Sequence, residues 1–429
     1  MTAEKLKELL LASGADAWEL TCDDTDIWEF YFIRHALDQN RVRNTLHITL
    51  RVYRRFEDGK CLGSAGGEIP PTATEEEAAA AIAAYLAAAS CVKNPAYTLN
   101  TPSGLSREST AAVDPAESAR RFMEVLRSLP ETETEDVNSY EIFTGSHRIR
   151  FLNSEGIDVS YVRPSSMAEA VLNARRGVKE IELYRKFTGG TCDAEALRRA
   201  LSLALATGRD KLTAVPTPPL GTCDVLFSGE AAAELYGYFI SRVSAAFKVR
   251  GYSDCEAGKP LAPSFNGDRV TLRALAALPN SSRNGAFDAE GAPVRDALLI
   301  EDGVVRRFIG SRQFSCYLGL SDSFIPGNYA VSGGSCSAEE LRSGLCLEAV
   351  DFSDFQVDPI TGDIAGEIRL AYLRKDGKVT PVSGGSVSGN MRDFIRDMRM
   401  SRETEQQDSL LLPALTRLSG VHIAGAARG

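Results

Sequence analysis

Apolar and polar positions alternate through much of the first two hundred residues, and the alternation is interrupted by stretches with helical spacing. An opening helix over 3–12 is followed by strand-like segments at 18–22, 27–33, 42–56 and 61–69. An Ala-rich helix over 75–89 comes next, with Thr74 and Glu77 spaced as a capping box at its start. The same order then returns. A helix over 115–129 precedes strand-like segments at 139–143, 148–153, 158–173 and 178–187, and a helix over 194–206 capped by Asp193 closes the second set. Two units of helix, four strands and helix are therefore expected, at 1–92 and 113–210, as an internal duplication visible in element order more than in residue identity. An antiparallel sheet with helices on one face follows, and the fold class is α+β.

Beyond residue 212 the pattern changes. Three prolines stand within four residues, Pro216, Pro218 and Pro219, so 213–222 reads as a linker between an N-terminal domain, 1–212, and a C-terminal domain, 223–429. One amphipathic helix is expected over 230–247, with Leu235, Phe239, Val243 and Phe247 on its stripe. Short strands then flank the turns Asp302-Gly303 and Asp376-Gly377, both hairpin signals. A helix over 391–400 and a final strand over 414–424 complete a mainly antiparallel β domain with few helices.

Composition narrows the function. The 429-residue chain is 44% hydrophobic and 25% charged, with a net charge of −10. That excess of acid argues against general attraction to nucleic acid. Arg51, Arg54 and Arg55 form a local basic spot on a strand, read as a solvated sheet face in preference to a phosphate site. The longest apolar runs are too short to cross a bilayer, and no signal peptide is legible. A cytoplasmic protein is expected. Its nine cysteines are widely spaced with no C-x-x-C, which fits reduced thiols.

Candidate chemistry is sparse. The histidines are His35, His47, His147 and His422, and no two are spaced as helix-borne zinc ligands. His47 falls in a strand and His147 in an expected hairpin. The five residues V-S-G-G-S occur at 331–335 and again at 382–386, beside G-S-A-G-G at 63–67. None fits a nucleotide-binding glycine motif, so close backbone approach or simple turns are the readings. No G-x-S-x-G elbow exists. Glu230 and Glu234 sit one helical turn apart, where like charges repel mildly, so solvated helix charges are a better reading than a metal or acid–base pair.

The C-terminal half also carries a family resemblance. F-D-A-E-G-A-P at 287–293, L-I-E-D-G-V-V at 299–305, P-G-N at 326–328, G-E-I at 366–368 and YLRKDGKVTPVSGGSVSGN at 372–390 occur in an order that resembles the TldD/PmbA family. The tail, L-P-A-L at 412–415 and G-V-H-I-A-G at 420–425, fits as well. That resemblance implies a relation to metallopeptidases whose TldD-type subunits carry H-E-x-x-x-H and a later cysteine as zinc ligands. Here Gly229 stands at the first histidine position, Glu230 at the general base and Glu234 at the second histidine, and no cysteine follows Cys346. The implied role is a PmbA/TldE-like subunit without catalytic residues or metal of its own. It would pair with a TldD-like zinc subunit to act on unfolded or leader peptides. Gly327, Asn328, Gly389 and Asn390 are expected to wall the substrate groove, near an open sheet edge. A stand-alone peptide-binding or scaffold homodimer is the competing reading, and a metal-free enzyme is a third.

Overall fold

The computed structural model describes residues 1–104 and 112–426. In the N-terminal half α1 (Ala3–Ala12) leads into β1 (Ala17–Ile33), β2 (Ala36–Phe56) and β3 (Cys61–Ile69), then α2 (Glu75–Ala89) and the short β4 (Asn94–Pro95). The second set is α3 (Pro115–Leu126), β5 (Glu135–Asn153), β6 (Asp158–Arg176), β7 (Lys179–Gly189) and α4 (Ala194–Thr213). All seven strands form one antiparallel sheet, ordered β4-β3-β2-β1-β5-β6-β7. The order is symmetric about the β1–β5 pair, so the first strands of the two sets lie side by side.

The α+β class stands, but each set has three long strands where the sequence pattern suggests four. Asp23 to Asp26 resembles a turn by composition. Instead, each residue of that run is paired with β2 on one side and β5 on the other, and the Asp23 carboxylate lies 3.0 Å from His147 Nδ1. His147 is accordingly mid-strand in β5, not in a hairpin. A polar run in a long central strand draws its stability from ladder bonds on both sides, which local composition does not reveal.

All four helices cover one face of this sheet. Leu6 and Leu10 of α1 and Ile82 and Leu86 of α2 pack on Trp18, Leu20, Ile48 and Leu50. Phe122 of α3 and Leu197 and Leu201 of α4 pack on Phe32, Tyr140, Ile142 and Leu172. The expected caps form. Thr74 and Glu77 exchange both bonds of a capping box, and Asp193 accepts from the amides of Glu195 and Ala196.

The C-terminal half begins with β8 (Val215–Pro216), β9 (Gly221–Phe227), α5 (Gly229–Arg242) and α6 (Ala245–Val249). It continues through β10 (Leu272–Leu275), β11 (Ala297–Glu301), β12 (Val304–Val305), β13 (Asn328–Val331), β14 (Cys346–Val357), β15 (Asp363–Lys375), β16 (Lys378–Ser383), β17 (Ser386–Asn390), β18 (Arg399–Met400), β19 (Thr404–Gln407), β20 (Leu410–Pro413) and β21 (Thr416–Ala424). Pairings β14–β9, β9–β21, β21–β17, β17–β15 and β15–β14 close a ring of strands. A second sheet runs β12-β11-β10-β13-β20-β19. Residues of α5, including Leu235, Phe239 and Val243, share one core with residues of both sheets.

Three expected elements differ. The helix over 230–247 breaks after Arg242 because Val243 and Ala245 exchange backbone bonds with Ile309. The helix over 391–400 lasts only through Phe394, since the carbonyls of Arg396 and Met398 accept from the 266–268 segment instead. The proline stretch is tied down: Val215–Pro216 pairs with Val382–Ser383, and the Thr217 amide donates to the Ser383 carbonyl. Gly333, Gly334 and Gly385 of the repeated V-S-G-G-S segments lie against backbone carbonyls of Arg402, Met400 and Ala424, close enough that a Cβ would not fit. Among the described residues no helix is long and apolar enough to cross a membrane.

The two halves meet on the sheet face that the helices leave bare. Ile149 and Tyr161 contact Ala286 and Phe287, and Gly291 sits against Phe151 and Ile157. A second contact joins Arg185 and Lys211 to Asp351, at 3.1 and 2.8 Å.

Candidate functional site at the start of α5

Strand β9 carries the chain through the core, with Val225, Leu226 and Phe227 fully buried, and delivers Ser228 to the start of α5. Ser228 is extended and makes no side-chain cap bond. Gly229 has φ +60°, a conformation that costs any residue with a Cβ about 1–2 kcal/mol. Ala231, Ala232, Leu235 and Tyr236 then anchor the inner side of the helix, and the Tyr236 hydroxyl lies 2.8 Å from Thr416 Oγ1. Glu230 and Glu234 are left on the exposed side.

Their surroundings are acidic. Burial, and then the charge of Glu230, raise the Glu234 carboxyl above its ordinary value. Across from α5, burial and a hydrogen bond to Glu169 push the Tyr184 hydroxyl up to about 12, with Glu141 and Glu230 adding to the shift. Glu141 itself is raised by burial, then by Glu169 and Glu29. Lys186 lies 3.7 Å from Glu169. The start of α5 and the outer face of β5–β7 thus form two acidic walls.

Zinc does not fit this donor set. Position 229 has no side chain, and the nearest side chain to a Cβ built there is Gln407, at 3.6 Å, an amide and not a thiolate. His47 and His147 are engaged elsewhere, with Glu68 and Asp23, His35 has its Nε2 3.7 Å from Glu131 at the far end of the N-terminal sheet, and His422 lies in β21. Among the described residues no group of three or more His, Cys, Asp or Glu is placed to hold a metal ion. The exposed Glu230 carboxylate can accept hydrogen bonds or attract a cation.

The four expected groove residues do not converge. Gly327 and Asn328 open β13, which is paired with β10 and β20, while Gly389 and Asn390 end β17, which is paired with β15 and β21. Neither strand is a sheet edge. Gly389 is small because the Phe394 ring occupies the space a Cβ would need, and Asn390 caps the turn at Arg392. One edge of the β13 sheet is β19, paired among the described residues with β20 and lying beside Gly229 through Gln407. Residues 404–407 were not singled out by sequence reasoning. The available signal was the polar run T-E-Q-Q followed by Asp408-Ser409 and L-L-L-P, a hairpin with Asp408 at φ +48°.

A second polar region lies between the halves, away from α5. The Glu290 carboxyl is pushed up to about 7 by burial, against a bond from the Arg312 amide and with help from Asp288 and Glu19. Asp288 is also raised by burial although it accepts three backbone amides, from Ile325, Glu290 and Ala292. Glu19 is raised by burial against a 2.6 Å bond from the Tyr53 hydroxyl.

Comparison with known proteins fits this geometry. Residues 220–425 match the family described as the PmbA/TldA metallopeptidase C-terminal domain. An uncharacterized protein of Methanocaldococcus jannaschii is 22% identical over 279 residues, 62% of this chain and 64% of that protein. A metalloprotease of Methanothermobacter thermautotrophicus is 26% identical over 280 residues, 58% of each chain. The chain thus spans less than two thirds of the length of either relative. Among solved structures, TldE from Thermococcus kodakarensis superposes with a TM-score of 0.78 at 18% identity, covering 98% of this chain and 100% of that one. A Thermotoga maritima protein, described as a modulator of a DNA gyrase, gives 0.77 at 18% identity, covering 99% of this chain and 100% of its own. Residues 220–425 of the chain thus form a domain of the PmbA/TldA metallopeptidase C-terminal family.

Proposed function

We propose that the protein is a non-catalytic, PmbA/TldE-like subunit of a cytoplasmic TldD/TldE-type metallopeptidase assembly that acts on unfolded or leader peptides. One observation carries the reading. The start of α5 carries Glu230 but has Gly229 and Glu234 at the positions where the family resemblance puts the two histidines, and no cysteine follows Cys346. A TldD-like partner would supply the zinc, and this chain would supply binding surface. Edge strand β19 can pair with an extended peptide backbone, and the acidic walls favour peptides with basic residues. The net charge of −10 weighs against direct action on DNA.

Co-expression with a TldD-like chain bearing H-E-x-x-x-H tests the reading. A stable complex that cleaves an unfolded peptide, from two chains that are each inactive alone, is the expected result. A homodimer that ignores such a partner would favour the stand-alone peptide-binding alternative.

A further inference from the structure

The region between the two halves contains an open cavity of about 540 Å³, within the size range of small-molecule sites, which often form at domain boundaries. Its N-terminal wall is Arg55, at the end of β2, with Thr98 and its neighbours. Its C-terminal wall is Arg312 with the Ser321–Ser323 turn.

The cation balance of this cavity is unusual for so acidic a chain. The Arg312 guanidinium donates to the Thr98 carbonyl at 3.0 Å, the Thr98 hydroxyl at 2.9 Å and the Ser321 carbonyl at 3.2 Å. All three acceptors are neutral, so its charge is held in place but not cancelled. Arg55 uses its backbone amide on Asp16, and among the described residues its guanidinium has neither an ion pair nor a hydrogen bond. Two carboxylates share the lining. Asp322 is already held by Arg295 and Arg307, which among the described lining residues leaves the exposed Glu155 to offset Arg55 and Arg312. Elsewhere arginines on this surface find acids readily, as Arg150 does with Glu4 and Asp158.

We infer that this interdomain cavity, between Arg55 and Arg312, binds a small oxyanion, either a phosphate monoester or a carboxylate. A planar guanidinium fork matches both anions, and the charge-assisted bonds are stronger than those to neutral acceptors. The Thr98 hydroxyl accepts from Arg312 and so has its own proton to donate toward the cavity. A bound anion would touch both halves of the chain and fasten them. The inference is independent of the proposed subunit role, which stands if it fails.

The test is calorimetric titration of the full chain at low ionic strength with inorganic phosphate and, separately, with succinate. At least one probe binds the unaltered chain, and the stronger of the two identifies the anion class. Arg55→Gln weakens that binding at least about tenfold, the loss expected for a charge-assisted pair, while Arg55→Lys retains part of it. The Arg55 side chain is exposed and bonds to none of the described residues, so both variants fold, as circular dichroism checks. Failure of both probes to bind, or equal binding by the unaltered chain and Arg55→Gln, overturns the inference and leaves a water-filled crevice.

Discussion

At the start of α5 and in the polar region around Glu290 between the halves, the chain treats polar groups in opposite ways. Glu230 and Glu234 face solvent from a well-anchored helix, and among the described residues they join no group of three or more His, Cys, Asp or Glu placed to hold a metal ion. Asp288 is instead buried and Glu290 and Glu19 are partly buried, and backbone amides and a tyrosine hydroxyl hold them. The first place presents two carboxylates on the exposed side of an anchored helix. The second concentrates perturbed groups that the family resemblance does not assign. Perturbed carboxylates mark sites that do something, and structural networks also produce them. Experiments that disturb each place separately show which of the two is structural.

The largest effect is expected at the interface between the halves. Gly291 has φ +73°, and a Cβ there would meet Phe151 at 2.6 Å and Ile157 at 2.9 Å. Gly291→Val therefore combines backbone strain with overpacking and costs about 3 kcal/mol or more. Urea unfolding and limited proteolysis between the halves measure it. A variant as stable as the parent would mean that the 285–293 segment does not dock as described.

A smaller effect concerns pH. Glu290 holds its proton more tightly folded, at about 7, than at its ordinary 4.5. The native state therefore binds more protons across that window, and stability falls as pH rises from 4.5 to 7. Because Glu290 is only half-buried in the solvent-accessible sense, screening reduces the total to about 1–2 kcal/mol. Glu290→Gln removes that part of the slope, and thermal melts of both proteins across the window check it. Identical slopes would contradict the placement of Glu290.

The smallest is at α5. A Cβ at Gly229 meets nothing closer than 3.6 Å, so Gly229→Ala costs only its positive φ, about 1 kcal/mol. A loss several times larger would mean that the helix start is packed more closely than the space around it suggests.

Much of this was legible in sequence, for reasons specific to each element. Helices α1 and α2 follow from amphipathic spacing and a capping box whose partners are three residues apart. Both Asp-Gly hairpins follow from turn chemistry, and Asp302 and Asp376 adopt the positive φ those turns demand. What stayed hidden depends on distant partners. Asp23 to Asp26 becomes strand because β2 and β5 are on either side of it, and α5 ends at Arg242 because Ile309 arrives there. The helix that carries Gly229, Glu230 and Glu234 could be read from its amphipathic spacing, whereas β19 as a sheet edge could not, since strand order is set by pairings across the whole domain. Arg55 was read as one of three solvated arginines; only the fold places it opposite Arg312.

The central claim is that this chain supplies no zinc chemistry of its own. Metal analysis and a peptide-cleavage assay on the purified chain, alone and mixed with a TldD-like chain bearing H-E-x-x-x-H, test it most directly. The isolated protein should carry no stoichiometric zinc and cleave nothing, with cleavage appearing only in the mixture. Stoichiometric zinc together with peptide cleavage by the isolated chain would contradict the claim.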